Sequence, residues 1–329
     1  MEETVLSSLM FNNNYNMPAP KMTISVIICT YNPREDYMRR VLWALATQTF
    51  PKEHWELLVV EHIKDPSKAQ QEPPWDLTWH PDARYILEYE SGLTAGRLRG
   101  IKESTGKLLI FVDDDNVLDP QYLEKALEIA DRFPQIGAFN GSTKGEYEIE
   151  PPPQLKCYVE ELADLEVKKD YWSNLPCRTL ATPIGAGMCI RRELAEDYYN
   201  KVSKEPMRKL LGQSGKFWVG GEDLDLAWCA IDAGMGTGRF KDLKIQHLIA
   251  DRRIDEEYIV RLYACYAASW EILAVVRPDF CGNPIPAWKK KIRWFFDYVR
   301  VPRVQRKIMR ASVKARRQAR KMTKTTLQK

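Results

Sequence analysis

The chain holds only four histidines in 329 residues, and its seven cysteines include no CxxC pair. A zinc knuckle needs closely spaced Cys/His ligands, so none is expected. An odd cysteine count, with several of the thiols inside apolar runs, also excludes a disulfide framework and points to a reducing compartment. No apolar run reaches the roughly 18 residues of a membrane span. The longest, Tyr263 to Val276, is short and carries Glu271. Met1 to Ser8 is acidic with no apolar core behind it, so no signal peptide is expected. What remains has the apolar and charged fractions of a soluble globular protein, 44% and 29%. Its length suits one large α/β domain with an appendage.

The stretch LLIFVDDDN, Leu108 to Asn116, stands out. An apolar run long enough for a buried strand ends in Asp113, Asp114 and Asp115. Three neighbouring carboxylates repel one another unless a cation or hydrogen-bond donors hold them ionised. All-oxygen ligands suit Mg²⁺ or Mn²⁺, ions that commonly share their coordination with phosphates. The alternative is a helix cap. The next helix, however, has its own start in Asp119-Pro120, followed by Leu123, Ala126, Leu127 and Ala130 at helical spacing. Capping falls to Asp119, which leaves the three aspartates for a metal.

Taken in order, residues 1–21 read as a loose Asn- and Pro-punctuated arm. Ile24 to Cys29 reads as a buried parallel strand, with Thr30-Tyr31-Asn32-Pro33 as the turn at its carboxyl end. A helix follows, with Met38, Val41, Leu42, Leu45 and Ala46 on one face. WELLVVEHIK is a second buried strand ending in Glu61 and His62, and Arg84 to Tyr89 is a weaker one. Thr94 to Gly106 reads as a helix carrying Arg97 and Arg99, which feeds the Asp113 strand. Alternation of this kind makes a doubly wound parallel sheet, whose ligands bind beyond the carboxyl ends of the strands. Tyr31, Asn32, Glu61 and the three aspartates all fall on that rim.

Further on the pattern loosens. Ile136 to Asn140 reads as a strand, Cys157 to Val167 as a helix, and Tyr171-Trp172 as loop. Thr182 to Ile190 is a Gly-interrupted strand where backbone can approach a ligand. VGGEDLDLAW opens a helix with Glu222, Asp223 and Asp225 in its first turn. One acid there satisfies the helix dipole by roughly 0.3–1 kcal/mol, and three exceed that need. Leu243 to His247 is a late strand, followed by a long helix.

From Lys289 onward the chain has sixteen Lys/Arg against one acid, Asp297, so within a total of +4 the preceding body carries about −11. Trp288, Ile292, Phe295, Phe296 and Val299 make an apolar stripe there, and Val304, Ile308 and Val313 resume it after Pro302. That composition is that of an interfacial helix on an anionic membrane, or else of a solvated tail packed onto the body.

SVIICTYN, the acidic end of the second strand, GLTAGRLRG, FVDDDN and GGEDLDLAW together resemble family 2 glycosyltransferases in order and spacing, over about residues 22–250. The resemblance implies the GT-A fold, here a doubly wound, Rossmann-like, mostly parallel sheet with a basic, helical C-terminal extension. It implies an inverting, metal-dependent transfer from a nucleotide-diphosphate sugar, a UDP-sugar being favoured, with Mn²⁺ or Mg²⁺. Donor contacts fall on Thr30, Tyr31, Asn32, Glu61, Arg97, Asp113 and Asp114. Glu61 departs from the Asp that is usual there, and Gly96 and Leu98 from the usual Ala and Asn. Asp113, Asp115 and His247 are the implied metal ligands. Of the pair Glu222 and Asp223, Asp223 is favoured as the base that takes the acceptor hydroxyl's proton. Gly185, Ala186, Gly187 and Met188 are expected to floor the acceptor pocket, and Tyr171 or Trp172 to stack on a sugar.

These features divide the chain into the arm at 1–21, a catalytic domain at 22–250, a packed helix at 251–280 and a basic tail at 281–329. The expected acceptor is a glycan or lipid-linked saccharide, and the expected location cytoplasmic, peripheral at the inner face of the membrane, with no nucleic-acid partner. A nucleotidyltransferase would also use acids on an α/β sheet, but TYNPRED is not its Gly-rich basic loop. A non-catalytic nucleotide-sugar binder or membrane scaffold has no need of Asp113, Asp115 and Asp223 together.

Overall fold

The computed structural model describes residues 22–68, 72–212, 217–280, 298 and 301–328. The expectations for the N-terminal arm and for Trp288, Ile292, Phe295, Phe296 and Val299 lie outside these residues. Three uninterrupted apolar runs form the centre of the sheet. They are β1 (Ile24–Thr30), β2 (Trp55–His62) and β4 (Leu108–Asp113), joined on the outside by β3 (Ala83–Glu88). All four are parallel, in the order β3-β2-β1-β4. A strand covered on both faces has no polar side, which is why the runs are continuous rather than alternating.

Val26 and Ile28 point into a core closed by α1 (Glu35–Ala46) and α3 (Tyr122–Arg132). Ile27 points the other way, toward α2 (Leu93–Glu103) and α5 (Arg192–Lys204). Each large aliphatic side chain buried this way contributes about 1.5–3 kcal/mol. The doubly wound, mostly parallel arrangement is therefore present.

Beyond β4 the sheet turns mixed. β8 (Cys189–Arg191) pairs antiparallel with both β4 and β6 (Ile136–Tyr147). β9 (Gly236–Ile249) runs parallel to β6, and antiparallel to β5 (Asn116–Leu118) and β7 (Tyr171–Ser173). Several expectations change here. β6 and β9 are longer than their apolar segments because each continues through a bulge, between Gly141 and Ser142 on β6. A Cβ at Gly141 would lie 2.1 Å from the Leu243 carbonyl oxygen, so only glycine lets the strands close up. Tyr171-Trp172 is strand rather than loop. Thr182 to Met188 is loop, and only Cys189–Arg191 is strand. The helix expected over Cys157 to Val167 is α4 (Lys156–Ala163).

Helix starts also differ. Gly92, at φ +116°, precedes α2, while the Thr94 hydroxyl donates to the Leu211 carbonyl at 2.7 Å. Asp119 accepts from the Gln121 N–H at 3.1 Å, and α3 begins at Tyr122, two residues past Pro120.

The acidic motif GGEDLDLAW forms α6 (Glu222–Ala227), continued by α7 (Cys229–Asp232). α8 (Glu256–Val276) starts on Asp255, whose carboxylate accepts from the Glu257 and Tyr258 N–H groups. Among the described residues it is the helix long and apolar enough to cross a membrane, judged by length and composition. Here it packs against α9 (Arg303–Leu327). Val304 and Ile308 join Ile259 of α8 in one cluster, and Ala315 and Ala319 join Ala268 and Ile272 in another. Lys307 pairs with Glu256 near the start of α8 and Arg320 with Glu271 further along, so the two helices run in the same direction. The apolar stripe of the tail, as far as it is described, is thus turned into the protein.

Candidate active site

β1, β2 and β4 end level with one another. Their register sets Thr30 opposite Glu61 and Cys29 opposite Asp113, on the edge where the strand order reverses. The Thr30 hydroxyl donates to the Asp114 carboxylate. Tyr31 is exposed, its ring 5.2 Å from that of His62. Asn32 turns the chain at φ +48°, a conformation asparagine tolerates better than most residues. Glu61 accepts from the Tyr85 hydroxyl on the neighbouring strand, a partner its longer side chain reaches.

The three aspartates occupy unequal environments. Burial pushes the Asp113 carboxyl up. Burial and the neighbouring Asp115 charge raise Asp114 to about 6, against the pull of Thr30. Burial works against the Asp115 charge too, but Arg253 and His247 overcome it and hold that carboxyl at about 2. The buried Asn116 orders the turn, giving its amide to Asp115 Oδ1 at 2.9 Å and accepting from the Asp113 N–H at 3.4 Å. The β5–β9 pairing sets His247 opposite Asn116, bringing His247 Nε2 to 3.5 Å from Asp115 Oδ2. The Arg253 guanidinium faces both of these atoms. Its Nη1 lies 2.7 Å from Asp115 Oδ2 and 3.1 Å from His247 Nε2, and its Nε donates to the Tyr258 hydroxyl at 3.1 Å.

This arrangement tests the expected metal site. A carboxylate oxygen and an imidazole nitrogen converge on one point, and a positively charged group already occupies it. Asp115 and His247 offer an oxygen and a nitrogen of the kind a divalent cation takes, whereas Asp113, on the same rim, does not come within ligand distance of both. A second acidic group, Asp197, Asp232 and Cys229, has ligand spacing but does not fit. Lys201 bridges its two carboxylates at 2.6 and 2.7 Å, and Arg277 takes Asp232 as well.

Arg97, expected as a donor contact, is buried. It lies under the Gly185 loop, 5.5 Å over the Phe111 ring, and donates from Nη1 to Glu222 Oε1 at 3.0 Å. Burial works against its charge, but Glu222, Asp113 and Asp223 keep it protonated. One guanidinium thus faces acids of both motifs, which stand about 110 residues apart in the sequence. Burial raises Glu222 to about 7 despite Arg97.

Asp223 is only half-buried. Its Oδ2 accepts from the Gly185 N–H at 3.0 Å and its Oδ1 from the Leu224 N–H at 2.8 Å. Gly221, left-handed at φ +92°, makes the turn that starts this helix. The third acid, Asp225, is fully buried and serves packing: Arg208 and Arg277 both donate to its Oδ1.

The loop Gly185-Ala186-Gly187 is pinned from below. Tyr122 donates to the Gly187 carbonyl at 2.7 Å and Asn140 to the Ala186 carbonyl at 3.3 Å. A Cβ at Gly185 would lie 2.5 Å from Arg97 Nη2. This loop does meet Asp223. Trp172 is 63% exposed on β7, opposite Gly238, and no bond or ring contact joins it to Asp223 or Gly185 among the described residues. Arg239, paired with Tyr171 across β7 and β9, feels both Asp223 and Arg178.

The glycosyl transferase family 2 profile matches residues 25–199, more than half of the chain. The chain belongs to glycosyl transferase family 2. Glycosyltransferase AglE of Haloferax volcanii is 31% identical over 32% of this family 2 chain and 34% of its own length. The poly(ribitol-phosphate) β-N-acetylglucosaminyltransferase TarS of Staphylococcus aureus is 28% identical over 33% of the chain and 19% of its own. These matches span 34% and 19% of those relatives' own lengths. The crystal structure of S. aureus TarS 1-349 superposes with a TM-score of 0.49 at 16% identity, covering 91% of this chain and 92% of that one.

Sequence reasoning missed Arg253, Tyr85 and the pairing of Arg97 with Glu222. The signal available for Arg253 was the basic pair Arg252-Arg253 placed directly after a strand that ends on the rim.

Proposed function

We propose that the chain transfers a sugar, with inversion, from a nucleotide-diphosphate sugar to a hydroxyl of a glycan or lipid-linked saccharide, a UDP-sugar being the favoured donor. The observation that carries this reading is the division of labour within the acidic pair. Glu222 is buried and bonded to Arg97, whereas Asp223 is half-buried and anchored to the Gly185 loop. A base must reach the acceptor, so the role falls to Asp223. Asp223 takes the proton of the acceptor hydroxyl, the acceptor oxygen attacks the anomeric carbon, and the nucleoside diphosphate departs from the opposite face.

Thr30, Tyr31, Asn32 and Glu61 hold the nucleoside end at the strand termini. Asp113, Asp115 and His247 would hold Mn²⁺ or Mg²⁺, which supplies positive charge for the departing diphosphate. Arg97 acts from beneath, keeping Glu222 in place and linking the two acidic motifs.

Nucleotide release across a panel of nucleotide sugars, with and without Mn²⁺, tests the reading on wild type and Asp115→Ala. Slow, metal-dependent release from one donor, lost in the variant, supports it and names the donor. Failure of every donor to bind in calorimetry overturns it.

Association with the inner face of an anionic membrane belongs to the same reading and rests on charge alone. α9 carries no acid, and Arg303, Arg306, Arg310, Lys314, Arg317, Lys321 and Lys324 form one exposed stripe along it. Among the described residues none of these pairs with a carboxylate. Each cation near an anionic surface contributes about 1 kcal/mol, and salt removes it. Co-sedimentation with anionic vesicles that fails at low salt, or matches that with neutral vesicles, refutes the association.

A further inference from the structure

The position of Arg253 has a chemical consequence. Its Nη1 donates to Asp115 Oδ2, at 2.7 Å, and lies 3.1 Å from His247 Nε2. Those are the two atoms a divalent ion would take. A divalent ion held by both atoms would compete with that nitrogen for them, and two cations gathered at one carboxylate oxygen repel each other. The ion and the guanidinium therefore exclude each other.

Arg253 is well placed to move. It ends the single 3-10 turn Asp251–Arg253 between β9 and α8, with about a third of its side chain exposed, and its other side-chain bond is a neutral one to Tyr258. A displaced guanidinium needs a new anion. The donor's diphosphate, arriving at the same rim, offers charged oxygens that the planar guanidinium fork can take in pairs.

We propose that Arg253 is a resident cation that latches the metal position in the free protein and is exchanged for the metal when a nucleoside diphosphate enters. The inference rests on the assignment of Asp115 and His247 as metal ligands. Metal and nucleotide then bind with positive coupling, because each removes an obstacle to the other: the nucleotide gives Arg253 somewhere to go, and its departure frees the ligands. Metal loaded without a nucleotide is held weakly, and an empty protein does not scavenge ions through this site.

The test is Mn²⁺ binding itself, followed by titration calorimetry and by the loss of the free-ion paramagnetic resonance signal. Wild type, Arg253→Ala, Arg253→Lys and Asp115→Asn are compared with and without UDP, after subtracting Mn²⁺–UDP complex formation. Circular dichroism and the melting temperature confirm that each variant is folded. Without nucleotide, Arg253→Ala binds Mn²⁺ more tightly than wild type, within the roughly 5–150-fold span typical of coupled sites. Arg253→Lys falls between the two, since an ammonium still competes but loses the guanidinium's geometry. UDP then strengthens Mn²⁺ binding less in Arg253→Ala than in wild type.

Equal or weaker Mn²⁺ binding by folded Arg253→Ala, with binding still lost in Asp115→Asn, overturns the latch and leaves the metal site standing. Absence of Mn²⁺ binding in every variant, with or without UDP, overturns the metal site and the latch together.

Discussion

Glu222→Gln separates the two acids of the motif by stability as well as by rate. Glu222 is almost fully buried, and its carboxyl rises from 4.5 to about 7 through burial, with Asp223 and Asp113 adding to the rise and Arg97 opposing it. At about 1.36 kcal/mol per pKa unit, ionising it inside the protein costs roughly 3 kcal/mol more than in the unfolded chain. The sign follows from proton counting. Between pH 4.5 and 7 the native state holds a proton that the unfolded chain has released, so stability falls as pH rises through this window and levels off above it. An amide of the same shape has no such proton.

Urea unfolding of both proteins from pH 4 to 8, in a chelator and followed by tryptophan fluorescence, therefore shows a gap that widens with pH. The variant gains on wild type by roughly 3 kcal/mol above pH 7, whatever constant offset the amide introduces. Parallel stability curves would refute the account of Glu222 as a buried acid. In the same pair of experiments Asp223→Asn lowers kcat by about 10²–10⁴, the usual contribution of a general base, with nucleotide affinity unchanged. Equal losses in the two variants would remove the distinction between base and scaffold.

Asp225→Asn leaves Arg208 and Arg277 without their shared buried counter-charge and destabilises the fold by about 3–5 kcal/mol, measured by chemical denaturation. Gly100→Ala drives a Cβ to 2.4 Å from Ile27 Cγ2 in the core between α2 and β1 and costs about 1–3 kcal/mol. Combined with Ile27→Ala the two losses sum to less than their separate values, because the clash disappears; strict additivity in melting experiments would count against the contact.

The amino-acid sequence by itself determined the parallel half of the fold and the identity of its acids. β1, β2 and β4 are buried on both faces, so each is written as a continuous apolar run. Each run stops where the strand meets the rim, and that is where Asp113, Glu61 and the Thr30 turn stand. The acidic pair was equally legible, because two glycines and a surplus of first-turn acids are local features.

Tertiary structure alone decided which partner each acid meets. Glu222, Asp223 and Asp225 are near neighbours in the chain, yet one faces Arg97, one the Gly185 loop, and one Arg208 and Arg277. Those partners lie between 17 and 125 residues away, and no local periodicity encodes which of them a side chain will meet. The same holds for Arg253, which reaches Asp115 across 138 positions, and for β6 and β9, whose bulged register hides the period that marks a strand. It holds for α9 as well. Its composition is that of a surface helix, but only contact with α8 could show that the apolar stripe was already spent on the protein's own core.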